Sequence, residues 1–224
     1  MTIETLERFG VEVMYNEGDY TQFYVEGGQE FKAIDYTIES DWSAAASIMV
    51  AAAIAGEVTI NNISTLSRQA DTAVCRALER AGASLIIEEN SITVAHRPLE
   101  AFEFDATQCP DLFPALVALA AAAEGVSTIT GIKRLRGKES DRGEALRAEY
   151  EKLGIDIELD YDEDVMRVVG GTPHSANVDS HDDHRIAMSL AITALRIQDE
   201  VVIRGRESVA KSYPSFFEDI ESLK

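Results

Sequence analysis

The chain has 224 residues, 46% hydrophobic and 27% charged, with 40 Asp and Glu against 20 Lys and Arg and a net charge of -20. That balance suits one or two globular domains, and the acidity excludes nucleic acid and anionic membranes as general partners because most of the surface repels phosphate. Glu57 and Glu124 interrupt the alanine-rich runs, so no membrane span is expected. The first ten residues carry Glu4 and Glu7 and lack a basic leader region, which points to a cytoplasmic protein. Cys75 and Cys109 fit no metal-ligand spacing and are expected to be free thiols in a reducing compartment.

Residues 2–28 read as a helix ended by Gly10 and followed by a hairpin, with a connection around Gln29 to Ile34. From there a unit of about 70 residues repeats. AAASIMVAAAIAG follows Asp41 and runs into EVTINNI, FPALVALAAAAEG follows Asp111 and runs into VSTITGI, and IAMSLAITALRIQ follows Asp183 and runs into EVVIRGR. Each segment reads as an acidic cap, an apolar helix and a β-branched strand. A second, more amphipathic helix comes next in each copy: RQADTAVCRALERAG, ESDRGEALRAEYEKLG and SYPSFFEDIESLK. Gly82 and Gly154 are placed to stop the first two, and the hairpins SLIIEENSITVA and IDIELDYDEDVMRVVG follow them. The unit is helix, strand, helix, strand, strand. The residues before it form only the end of a further copy, so the chain reads as the C-terminal portion of a longer protein.

Six of the 20 basic residues, Lys133, Arg134, Arg136, Lys138, Arg142 and Arg147, lie close together. Such a local reversal of charge suits an anion. Ser140 or Asp141 caps the following helix, and the start of that helix favours negative ligands. Arg142 can grip a carboxylate or phosphate through two parallel bonds, and Lys138 supplies a mobile point charge. Glu139, set between cations, is a candidate proton donor and acceptor. Asp111 reads either as a helix cap or as a general base. His184 and Arg185 open the third apolar helix and Lys211 precedes the last one, so Arg142, Arg185 and Lys211 are expected to converge at one end of the domain. The run His181-Asp182-Asp183-His184 has metal-ligand chemistry, but the adjoining Arg185 disfavours a dication, and no metal site is assigned.

Four motifs, Pro110-Asp111, RGKESDR at 136–142, Asp183-His184-Arg185 followed by Ile186-Ala187-Met188, and AKSYP at 210–214, occur in an order that resembles the 5-enolpyruvylshikimate-3-phosphate synthases, the 3-phosphoshikimate 1-carboxyvinyltransferase family. The resemblance covers nearly the whole chain. It implies an α/β fold built as a pseudo-three-fold repeat of βαβαββ units with helices packed inside the sheets. Residues 1–36 are then the end of an N-terminal domain, and 37–224 a C-terminal domain lacking the first strand of the full protein.

The implied reaction transfers the enolpyruvyl group of phosphoenolpyruvate to the 5-hydroxyl of shikimate 3-phosphate, in aromatic amino-acid biosynthesis, without metal or cofactor. By the same resemblance Asp111 is the base, Glu139 the acid that protonates and later deprotonates the methylene carbon, and Lys138 a shikimate 3-phosphate contact. Arg142 and Arg185 hold the phosphoenolpyruvate carboxylate, Lys211 its phosphate, and His184 is a hydrogen-bond partner. Arg134 stands where some members carry Asn. The missing N-terminal domain is the implied partner, and without it the chain is expected to be inactive. An enolpyruvyl transferase acting on UDP-N-acetylglucosamine and a non-catalytic anion-binding module are the alternatives. The first is expected to lack the Lys-Glu-Ser-Asp-Arg signature, and the second has no use for Asp111 and Glu139.

Overall fold

The computed structural model describes residues 1–16 and 18–222, so Leu223 and Lys224 of the last expected helix lie outside the described residues. The chain divides into two compact units, Met1–Glu39 and the residues from Ser40 onward.

In the first unit, helix α1 (Thr2–Arg8) is followed by strands β1 (Val13–Tyr15) and β2 (Phe23–Val25), paired antiparallel. Gly10 at φ +83 ends the helix, with Val11 N–H returning to Leu6 O. The segment after the hairpin folds back along the helix end, where Lys32 N–H donates to Phe9 O at 2.8 Å.

Three helices form the centre of the second unit: α2 (Trp42–Ala55), α4 (Phe113–Ala122) and α6 (His184–Ala194). They pack on one another and are buried almost all round, with nine of ten α4 residues shielded from solvent. A helix apolar on every side needs to be surrounded by protein, and sheets and outer helices surround these three. The outer helices α3 (Val74–Arg80), α5 (Arg142–Lys152) and α7 (Phe216–Ser222) carry mixed faces.

The middle copy is a complete βαβαββ unit. Strand β6 (Glu103–Asp105), α4, β7 (Val126–Thr130), α5, β8 (Ile157–Asp160) and β9 (Val165–Val169) follow in sequence, and the sheet order is β6-β7-β9-β8. Strands β6 and β7 are parallel, while β9 runs antiparallel to both β7 and β8. The first copy contributes β3 (Glu57–Asn61), β4 (Ser84–Ile87) and β5 (Ser91–Ala95) in the order β3-β5-β4. The third pairs β10 (Asn177–Asp179) parallel with β11 (Val202–Arg204).

Thus the unit that the hydropathy pattern gives as helix-first begins with a strand in its second and third copies. β6 and β10 are three residues each, too short for the alternation that marks a strand. The pairing with β7 and β11 is what defines them.

Both glycine stops form Schellman caps. Gly82 and Gly154 each sit at φ +82, with Ala83 N–H bonding Leu78 O and Ile155 N–H bonding Tyr150 O. At Gly154 a Cβ would also stand 2.8 Å from the His174 ring. Gly154→Ala is therefore expected to lower stability in urea by more than the roughly 1–2 kcal/mol of a left-handed alanine, and by more than Gly82→Ala, which has only Pro98 O at 3.5 Å. Equal losses would show that the His174 contact relaxes freely.

Candidate active site

Helices α4, α5 and α6 present their N-termini to one charged cluster. Asp111 lies in a 3-10 turn, Pro110–Leu112, that feeds α4. Arg142 is the first residue of α5, and His184 and Arg185 open α6. Lys211 ends a 3-10 stretch, Arg206–Lys211. Arg142 thus comes from the second copy, and Arg185 and Lys211 from the third.

The Arg142 side chain is 1% exposed, and three carboxylates surround it. Its Nε donates to Asp183 Oδ2 at 2.8 Å and its Nη1 to Asp111 Oδ1 at 2.7 Å. Nη2 donates to Glu139 Oε2 at 2.7 Å and, more loosely, to Asp183 Oδ1 at 3.4 Å. The fork geometry of guanidinium is what allows one cation to hold three acids. Asp111 is shared further: Lys138 Nζ lies 3.3 Å from Oδ1 and Arg185 Nη2 3.6 Å from Oδ2. Lys211 Nζ donates to Asp182 O at 2.6 Å and pairs with Asp182 Oδ2 at 3.0 Å, next to Asp183.

Asp111 does not cap α4. No backbone N–H bonds its side chain at that helix start, because the carboxylate is turned toward the cations. Asp183 does cap α6 through Arg185 N–H at 2.9 Å, and it is fully buried on Arg142 as well. Of the two candidates for the α5 cap it is Asp141 that accepts from Glu144 N–H, while Ser140 Oγ donates to Asp183 at 3.2 Å.

Burial pushes the Asp183 carboxyl up, but the Arg142 bonds outweigh it and hold its pKa below the usual value. The same opposition, with Arg185 the strongest attraction, lowers Asp111. Burial also works against the Arg142 charge, and Asp183 and Asp111 more than restore it. His184 is 5% exposed, and burial reinforced by Arg185 depresses its pKa. A neutral imidazole results at pH 7. Its Nδ1 has no hydrogen-bond partner and stands 3.8 Å from Glu139 Oε1.

Asp71, which the sequence pattern left inside an amphipathic helix, is buried beside Ser43 and feels the charges of Arg185 and Asp111. Burial raises its pKa. Neither Asp71 nor the buried Asp183 carries a local signal of such a place, because their partners are remote in sequence. Arg134, at the position that departs from the family pattern, reaches Thr107 O at 3.2 Å.

The acidic and imidazole run at 181–184 diverges: His181 turns to Glu149 at 2.8 Å, Asp182 to Lys211, and Asp183 to Arg142. Among the described residues no three His, Cys, Asp or Glu side chains are grouped to hold a metal. A cavity of about 360 Å³, lined in part by His96, Leu99 and Arg196, lies at the opposite ends of the inner helices. Arg196 there bonds Ala121 O and Gly171 O, so it caps carbonyls rather than facing an open site. Cys109 is buried and its thiol is pushed up to about 11 by burial, a poor nucleophile at neutral pH.

Removing the Arg142 side chain leaves Asp183 buried and unpaired, so Arg142→Ala is expected to destabilise the fold by about 3–5 kcal/mol. Thermal or urea unfolding measures this, and a loss under about 1 kcal/mol would show that water reaches Asp183 freely. Both depressed acids, Asp183 and Asp111, stabilise the fold fully above the ordinary Asp value of 3.8 and lose that contribution as pH falls through their lower folded values. Acid unfolding should therefore steepen below pH 3.8 in the wild type and flatten in Asp183→Asn.

A family model described as EPSP synthase (3-phosphoshikimate 1-carboxyvinyltransferase) matches residues 1–220. The 3-phosphoshikimate 1-carboxyvinyltransferases of Clostridium perfringens and Methanosarcina acetivorans are 40% and 39% identical over 228 residues, spanning all of this chain and 52% of each relative. The solved EPSP synthase from Acinetobacter baumannii aligns with a TM-score of 0.85 at 31% identity, covering 97% of this chain and 53% of that one. The enolpyruvyl transferase NikO from Streptomyces tendae, at 22% identity and a TM-score of 0.73 over 99% of this chain and 51% of its own, shares the fold. The chain spans about half the length of the curated relatives it matches. With the match running through nearly every residue and the βαβαββ repeat in place, the chain belongs to the EPSP synthase (3-phosphoshikimate 1-carboxyvinyltransferase) family.

Proposed function

We propose that this chain is the C-terminal part of an enzyme that transfers the enolpyruvyl group of phosphoenolpyruvate to the 5-hydroxyl of shikimate 3-phosphate. Residues 1–36 belong to the end of its N-terminal domain and 37–224 to its C-terminal domain. The supporting observation is that Asp111 and Glu139, two acids of opposite duty, are both held at 2.7 Å by the guanidinium of Arg142. Pure anion binding gains nothing from acids placed there.

In the proposed addition, Glu139 protonates the methylene carbon of phosphoenolpyruvate, the 5-hydroxyl oxygen bonds to its C2, and the hydroxyl proton passes to Asp111. In the elimination, Glu139 takes a proton back from the new methyl group as the C–O bond to phosphate breaks, and the departing phosphate carries off the proton that Asp111 had accepted. Arg142 and Arg185 receive the phosphoenolpyruvate carboxylate, Lys211 its phosphate, and Lys138 shikimate 3-phosphate. Substrate therefore takes donors that now serve Asp111 and Asp182, and this frees Asp111 for the hydroxyl. His184 Nδ1, unpartnered and 3.8 Å from Glu139 Oε1, is the proposed hydrogen-bond partner for bound substrate. Fixed cations stabilise the anionic tetrahedral intermediate without reorganising. The proposed setting is the cytoplasm, where Cys75 and Cys109 remain free thiols.

The test is turnover by the chain joined to its N-terminal half, with shikimate 3-phosphate against UDP-N-acetylglucosamine as acceptor. Shikimate 3-phosphate alone should react, and the 224-residue chain by itself should be inactive. Glu139→Gln and Asp111→Asn are each expected to lower kcat by about 100-fold or more, with smaller changes in KM. Near-normal kcat in both variants would reduce these acids to counter-ions of Arg142.

A further inference from the structure

Glu149 lies two turns beyond Arg142 on α5, on the same face of the helix. Its side chain is 2% exposed, yet it takes part in none of the chemistry described above. Its Oε2 accepts the Asp179 backbone N–H at 2.9 Å, its Oε1 meets His181 Nε2 at 2.8 Å, and Lys152 Nζ bonds both oxygens. Two of these three partners lie at the end of β10 and in the turn just before Asp183.

That turn is unusual. Asp183 N–H closes on Ser180 O at 2.9 Å, and the two central residues, His181 and Asp182, sit at φ +52 and +56. Positive φ at both centres is the demand of a type I′ turn, which Gly, Asn and Asp dominate. Asp182 suits its place, whereas His181 stands outside that set, and a non-glycine residue keeps a left-handed conformation where its surroundings impose it. Ser180, buried, is tied to β11 through Arg204 O and Gly205 O. His181 N–H bonds Asp179 Oδ1, and the Glu149 carboxylate holds the outer side.

The turn carries three parts of the site. Asp182 O receives Lys211, Asp183 receives Arg142, and the next residues are His184 and Arg185. One helix therefore grips one turn twice, through Arg142 on Asp183 and through Glu149 on Asp179 and His181.

We propose that Glu149 is a positioning residue: it holds the His181–Asp182 turn in its left-handed conformation, so that Lys211 and Arg185 stay aimed at the same anionic substrate. The inference rests on the enolpyruvyl-transfer reading for its kinetic consequence, though not for its structural one. Arg185 and Lys211 hold phosphoenolpyruvate in that reading, whereas Lys138 and Asp111 face the other substrate and do not belong to the turn.

The experiment takes Glu149→Gln and Glu149→Ala in the full-length enzyme. KM for phosphoenolpyruvate should rise by about 10- to 100-fold in Glu149→Ala, the scale of a displaced binding group, and less in Glu149→Gln, while KM for shikimate 3-phosphate stays within about 3-fold. A merely structural loss lowers the active fraction, and hence kcat, without moving one KM alone. His181→Gly added to Glu149→Ala should recover most of the change, because glycine adopts the turn unaided and the Asp182–Lys211 pair is left in place.

Hydrogen exchange at the amides of residues 180–185, measured with no substrate present, should quicken at least 10-fold in both single variants. Unchanged exchange there in Glu149→Ala, or equal changes in both KM values, would overturn the proposal. If Glu149→Ala fails to fold, Glu149→Gln decides on the same two readouts. Absence of enolpyruvyl transfer in the wild-type enzyme would overturn the functional reading instead, and the exchange measurement would still decide the role of Glu149.

Discussion

A guanidinium buried among three carboxylates is the constraint on which the rest of this site depends. Taking Arg142 out of water is costly, and so is burying Asp183; each is tolerable because the other is 2.8 Å away in a fixed geometry. Asp111 and Glu139 complete the shell at the partly exposed end. The arrangement leaves the two acids at the mouth partly exposed while the third stays shut inside the protein. One arginine thus ties the starts of α4, α5 and α6 together and sets the distance between Asp111 and Glu139.

That arrangement requires helices that point the same way, and the inside-out packing supplies them. Alanine-rich helices have slender profiles, so α2, α4 and α6 pack as a central bundle with sheets and outer helices around it. β6 and β10 lead into the inner helices α4 and α6, whose positive N-terminal ends lie at the charged cluster together with that of α5. The opposite end gathers carbonyls instead, and there His96 and Arg196 bond Ala53 O and Ala121 O.

The turn at 180–183 shows how the two levels join. Its first centre is a left-handed His181, outside the residues that favour such a turn, and the contacts of Glu149, Ser180 and Arg142 surround it. The left-handed turn, a buried acid on a neighbouring helix and the cations Arg185 and Lys211 are joined through one set of contacts. The depressed titration of Glu149, where Lys152, His181 and the Asp179 amide overcome the effect of burial, keeps that acid charged through neutral pH.

The sequence by itself determined the elements whose causes are local. Uniform apolarity marked α2, α4 and α6, glycine stops fixed the ends of α3 and α5, and alternating residues around polar turns marked the hairpins β4-β5 and β8-β9. It also identified the charged residues that gather, since Lys138 to Arg142 and Asp183 to Arg185 are contiguous. Only the tertiary structure decided what those charges do. β6 and β10 exist as strands through partners on β7 and β11, and Asp111, which reads as a cap or a general base, turns from the helix start to Arg142, 31 positions away in the chain. Asp71 and Glu149 look like ordinary surface acids in sequence and are buried in the fold, and Asp183, legible as a cap, is buried on Arg142 as well. Helix periodicity and caps are set by neighbours within a few residues, whereas burial and ion pairing depend on which distant segments the closed repeat brings into contact.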